Sequence, residues 1–136
     1  MKFPVMLLAC MMTINVIAQA AEDSYEIIKD KKLRTIRYVP AQPSGKALIL
    51  VHGFSRNAKR MAGHASALAS QGVTVWTPNL YSLMGGAKSR AKNVQFLSGL
   101  LRKLAQGYPT VSLAGHSAGG ALVFSTDDYF QNNPGL

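Results

Sequence analysis

The sequence predicts an α/β fold, a three-layer sandwich built on a mostly parallel sheet. Three observations carry that expectation. Segments with strand and helix patterns alternate along the chain, as they do when parallel strands are joined by crossover helices. One strand segment, Lys46–Val51, is a continuous apolar run after its first residue, the pattern of a strand covered on both faces. Two glycine-bearing corners, His52-Gly53-Phe54 and Gly115-His116-Ser117-Ala118-Gly119, follow strand segments. Both therefore fall at the carboxyl ends of strands, where open sheets of this class bind ligands.

Taken in order, the chain opens on Met1-Lys2, a short positive start, followed by the mostly apolar run Phe3–Ala18 and by Ala18-Gln19-Ala20. This is the form of a secretory signal cut after Ala20. It places the mature chain, 21–136, in a bacterial periplasm or outside the cell. A membrane anchor is the competing reading, but the run is shorter than the ~20 residues a spanning helix needs, and Asn15 interrupts it. No transmembrane segment is expected after cleavage. Leu7-Leu8-Ala9-Cys10 also resembles a lipobox; it ranks below ordinary secretion because the apolar stretch before the cut would be very short. Cys10 is the single cysteine, so the mature chain has no disulfide and no thiolate metal cluster.

Asp23–Asp30 is polar and fits either a short helix or a first strand. Leu33–Val39 alternates apolar with polar and reads as a half-buried strand near a sheet edge. Pro40–Gly45, with two prolines and a Ser-Gly pair, is a turn, and the apolar strand Lys46–Val51 follows. Asn57 can cap a helix over about 58–71, with Met61, Ala65, Leu68 and Ala69 as its apolar stripe and Gly72 at its end. Val73–Thr77 is the next strand. Tyr81–Gly86 is a loop. A longer helix over about 87–106 places Val94, Leu97, Leu100, Leu101 and Leu104 on one face and Lys88, Lys92, Arg102 and Lys103 on the other. Val111–Ala114 is the strand that runs into the second corner, and an apolar helix begins near Gly120.

The 136 residues suffice for one domain, and the 48% hydrophobic content excludes a disordered chain. The net charge is +9. No acid occurs between Lys31 and Thr126, yet the bases there are scattered singly or in pairs without interleaved aromatics. That distribution argues for solvated basic faces rather than a nucleic-acid site. It still favours anionic partners, such as lipid headgroups or acidic substrates. Neither a metal constellation nor a dinucleotide glycine loop is visible, so no cofactor and no metal are expected.

The second corner carries the chemistry. Gly115-His116-Ser117-Ala118-Gly119 is G-x-S-x-G between a strand and a helix. A serine at so sharp a turn has a strained backbone, and glycines two residues either side remove the collisions around it. The plain structural alternative is a glycine-rich turn in a non-catalytic domain. With the His-Gly corner upstream and this element order, 33–124 resembles the first half of an α/β-hydrolase of esterase or lipase type. Gly115–Gly120 resembles the nucleophile elbow, Leu50–Phe54 the oxyanion strand and loop, and Gly72–Leu80 the segment after the first helix.

The resemblance implies that Ser117 is the nucleophile of an acyl transfer and that the N–H groups of Phe54 and Ala118 form the oxyanion hole. A small-molecule or lipid ester is the implied substrate. In this family the acid and the histidine follow the serine. Here 19 residues follow Ser117 and none is histidine. His52 and His116 belong to the corners, and His64 lies on the first helix. Asp127 and Asp128 come ten residues on, ~15 Å away if the helix continues. Asn79 and Asn93 cannot replace a carboxylate. The expectation is thus a partial α/β-hydrolase domain, truncated after the nucleophile helix, with little or no turnover in residues 1–136 alone. The other reading is a non-catalytic, exported, basic binding module that kept a hydrolase-like shell.

Overall fold

A computed structural model describes residues 24–135 of the chain. The segment read as a signal, 1–20 with Cys10, lies outside the described residues. Five strands form one sheet: β1 (Tyr25–Asp30), β2 (Thr35–Pro40), β3 (Lys46–Val51), β4 (Thr74–Pro78) and β5 (Thr110–Gly115), in the order β1-β2-β4-β3-β5. β3 pairs in parallel with β4 and β5, while β2 is antiparallel to both β1 and β4. Four strands thus point one way and only β2 is reversed, because the four residues 31–34 between β1 and β2 allow a hairpin and no crossover.

Three helices cover the sheet: α1 (Ala62–Ala69), α2 (Gly86–Ala105) and α3 (Ala118–Asn132), with a 3₁₀ turn at Ala58–Met61 before α1. The alternation of β3 shows the layers. Leu48 and Leu50 pack with Ile36, Tyr38, Met61, Ala65 and Ala69 on the α1 side. Ala47, Ile49 and Val51 pack with Trp76, Leu97, Leu104 and Leu122 on the side of α2 and α3. Both faces are covered, which is why this strand reads as an unbroken apolar run. Among the described residues no helix is long and apolar enough to cross a membrane.

Three expectations need adjustment. Residues 25–30 are a strand, paired over its whole length with β2. β2 is indeed next to the edge strand, flanked by β1 and β4, but it is more than half-buried: Thr35, Ile36, Tyr38 and Pro40 are all buried. The first predicted helix is split into a 3₁₀ turn and α1, and Asn57 makes no capping bond. The Ala58 N–H instead donates to Oδ1 of Asn79, 2.9 Å away on the loop after β4. That cap is supplied from 21 residues downstream, so no local pattern reveals it. β5 lies at the end of the sheet and pairs only with β3 among the described residues.

Candidate active site

The parallel strands β3, β4 and β5 deliver three loops to one end of the sheet. β5 stops at Gly115 and α3 starts at Ala118, so His116 and Ser117 make the whole turn. Ser117 takes φ 55° and ψ −122°, a left-handed conformation that costs a non-glycine residue about 1–3 kcal/mol. It occupies the N-cap position of α3 but makes no side-chain cap hydrogen bond. A capping serine needs an extended backbone to reach back to the helix N–H groups. The positive φ turns this side chain away, leaving an exposed hydroxyl at the positive end of the helix.

The flanking glycines are there because backbone passes through the space a side chain would fill. A β-carbon on Gly115 would lie 2.4 Å from the Gly119 carbonyl carbon, and one on Gly119 would lie 2.5 Å from the His52 carbonyl oxygen. The second contact matters most. It means α3 begins directly against the end of β3, the His-Gly corner. That corner is tied down twice: His116 N–H donates to Val51 O at 3.0 Å, and a β-carbon on Gly53 would come within 3.2 Å of Ser117 Cβ. The two corners read separately in the sequence are one structure.

His52 is buried and fully committed. The Leu80 N–H donates to its Nε2 at 3.1 Å, so that nitrogen is unprotonated. Nδ1 therefore carries the hydrogen and donates to the Gly53 carbonyl oxygen at 2.9 Å. Gly53 C=O and Phe54 N–H belong to one rigid peptide plane, so this bond also fixes the direction of the Phe54 N–H. Among the described residues that N–H has no hydrogen-bond partner. The Ala118 N–H is at the first turn of α3, where helix N–H groups have no intrahelical acceptor. Phe54 and Ala118 share a cleft of about 460 Å³ with Leu83, Arg90 and Leu122.

The loop after β4 closes the other side of the corner, held by two side chains from outside it and one of its own. His52 receives Leu80 N–H. Asn93 of α2 accepts Tyr81 N–H at 2.7 Å and donates to Tyr81 O at 3.1 Å. Asn79 caps Ala58. Asn93 is completely buried, and its part in the site was missed from the sequence. A signal was present: it stands four residues before Leu97 on the apolar stripe of α2, where an amide needs partners.

The remaining titratable candidates are not brought to Ser117. His64 is exposed on α1, which packs against the opposite face of the sheet from α3. Asp127 and Asp128 are exposed on α3. That helix does continue past them, so they stand ten residues, ~15 Å, along its axis from the turn. Among the described residues no group of three or more His, Cys, Asp or Glu side chains is placed to hold a metal ion.

No protein-family profile matches the sequence, and comparison with curated protein sequences finds no match. Solved structures do match. The chain is similar to a hormone-sensitive lipase from a metagenome library, with a TM-score of 0.68 and 19% identity over 84% of this chain and 40% of that one. It is similar to the hormone-sensitive-lipase homologue EstE7, also from a metagenome library, with a TM-score of 0.67 and 17% identity over 82% and 41% of the two chains. The Francisella virulence factor BioJ matches with a TM-score of 0.63 and 21% identity over 80% and 40%. The chain spans about two-fifths of the length of these structures. Over that span it has the α/β-hydrolase fold that esterases and lipases share.

Proposed function

We propose that the protein is a serine hydrolase acting on carboxylic esters through an acyl-enzyme on Ser117. The Ser117 Oγ attacks the ester carbonyl carbon, its proton passes to a base, and the carbonyl oxygen takes the negative charge between the N–H groups of Phe54 and Ala118. One such donor is typically worth ~3 kcal/mol of barrier. The intermediate collapses by breaking the bond to the alcohol oxygen, which leaves with the proton. Water then attacks the acyl-serine, releasing the acid and restoring the hydroxyl. A single observation carries this reading: an uncapped, exposed serine with positive φ, wedged between glycines against the His-Gly corner.

His116 is the imidazole within this turn, with its Nδ1 near Gly53, but among the described residues no carboxylate bonds to it, so it is not read as one of the base and acid partners of Ser117. We assign them to a histidine and an acid outside residues 1–136, in a longer protein exported by the signal at its N-terminus. Residues 1–136 alone then turn over no ester. A second reading has its own observation. With His52 committed and His64 remote, the shell could serve as a basic binding module without catalysis. Hydrolysis of a short-chain aryl ester by the full-length protein, lost in Ser117→Ala with the fold retained, supports the enzyme. Equal rates for the two proteins refute it. Secretion of a reporter fused to residues 1–20 tests the export signal.

A further inference from the structure

The direction of the Phe54 N–H depends on more than its own corner. His52 Nδ1–H holds the Gly53 carbonyl oxygen at 2.9 Å, and with it the peptide plane that carries the Phe54 N–H. The bond aims that plane only while the ring itself stays in place. Its Nε2 accepts the Leu80 N–H at 3.1 Å. Leu80 lies on the loop after β4, so that loop must be fixed in turn. Asn79 secures one side of Leu80, its N–H donating to the Arg34 carbonyl oxygen at 2.8 Å. Asn93 of α2 secures the other. It accepts the Tyr81 N–H at 2.7 Å and donates to the Tyr81 carbonyl oxygen at 3.1 Å. From Asn93 through Tyr81, Leu80, His52 and Gly53 to Phe54, every step is a hydrogen bond or an adjoining peptide unit.

The chemistry at position 93 fits this task. An amide accepts at one atom and donates at another, as the N–H and C=O of a single residue require. A carboxylate accepts without donating, and a hydrocarbon does neither. Asn93 stands on the buried face of α2 with Val94 and Leu97 and has no exposed surface. For packing alone, a leucine there would bury more hydrocarbon. A fully satisfied interior amide selects one arrangement of its neighbours, and here its neighbour is the loop that abuts His52.

We propose that Asn93 is a positioning residue of the oxyanion hole. Through the loop after β4 and His52 it aims the Phe54 N–H, and being fully buried it acts through these residues rather than on the substrate. The inference rests on the esterase reading for the role of that N–H, not for the bonds that hold it.

The test compares the full-length protein with three variants. Asn93→Leu removes both bonds to Tyr81. Asn93→Asp keeps the acceptor, loses the donor and serves where the leucine variant does not fold. Leu104→Ala, further along the same buried face, destabilises α2 away from the loop. Each is given an oxygen ester and the matching thionoester, in which sulfur replaces the carbonyl oxygen, under conditions where it is folded. Asn93→Leu should lower kcat for the oxygen ester about tenfold, a part of the roughly 10²–10³-fold that a lost oxyanion donor costs, with KM little changed. The thionoester, whose sulfur relies less on the two amides, should slow less. Asn93→Asp should show the same selectivity, and Leu104→Ala should leave kcat and the ratio of the two esters unchanged. The Phe54 amide resonance should move in both Asn93 variants and stay in Leu104→Ala. Equal slowing of the two esters, or a kcat in the Asn93 variants no lower than in Leu104→Ala, overturns the inference and leaves the esterase reading standing. A wild-type protein that hydrolyses neither ester fails the esterase reading instead. The Phe54 resonance then decides the positioning, and its staying in place in both Asn93 variants overturns it.

Discussion

Replacing Ser117 by glycine should make the protein more stable than replacing it by alanine, although both changes remove the hydroxyl proposed as the nucleophile. The backbone at this position has φ 55° and ψ −122°. Holding a residue with a β-carbon there costs about 1–3 kcal/mol. Alanine retains that cost, whereas glycine adopts the conformation freely. Against this, glycine loosens the unfolded chain by about 0.4–1 kcal/mol. No capping bond is lost in either variant, because Ser117 makes none. The difference leaves Ser117→Gly ahead of Ser117→Ala by about 1 kcal/mol. Urea denaturation of the two full-length variants measures it as a higher midpoint at unchanged slope. A glycine variant equal to or less stable than the alanine variant would mean that the turn holds no strain, and the account of an elbow kept for chemistry would fail.

The other predictions concern what surrounds the turn. Gly119→Ala places a β-carbon 2.5 Å from the His52 carbonyl oxygen and 2.8 Å from that of Val51. It should cost about 1–3 kcal/mol and, on the proposed function, lower kcat more than stability alone explains, as α3 is pushed off the His-Gly corner. Asn93→Leu leaves the N–H and carbonyl of Tyr81 without their partners. The expected loss is about 2 kcal/mol, with faster hydrogen exchange at Leu80 and Tyr81. Tyr38 is buried between β2 and α1, and burial first, then nearby Tyr25, raises its phenol above the ordinary 10.0. The unfolded chain gives up that proton first as pH rises. Stability is therefore unaffected below pH 10 and falls above it until the folded phenol also ionises. Tyr38→Phe should flatten that alkaline decline, and a decline of equal steepness would contradict the assignment.

The parts of this molecule legible in the sequence are those governed by local pattern. The apolar run of β3 announced a strand covered on both faces, and Val94, Leu97, Leu100 and Leu104 announced the buried face of α2. G-x-S-x-G gave the turn at Ser117 because its chemistry is contained in five consecutive residues. What could not be read depends on residues far apart in the chain. β2 reads as half-buried by its alternation, but the polar positions of its pattern include Arg37, whose guanidinium lies over the Trp76 ring at 5.7 Å. A cation can thus sit in a flanked strand. The cap of Ala58 comes from Asn79, and the tautomer of His52 is set by Leu80. Such bonds depend on which loops the strand order brings together. The convergence of the His-Gly corner on Ser117 could be inferred from strand polarity, but its closeness is visible only in the glycine contacts.

The most direct test is to react the full-length protein with an alkyl fluorophosphonate and determine the structure of the adduct. The account predicts phosphorus bonded to the Ser117 Oγ, with the phosphoryl oxygen about 3 Å from the nitrogens of both Phe54 and Ala118. Phosphorus on another residue, or a phosphoryl oxygen turned to solvent away from those two amides, would contradict it.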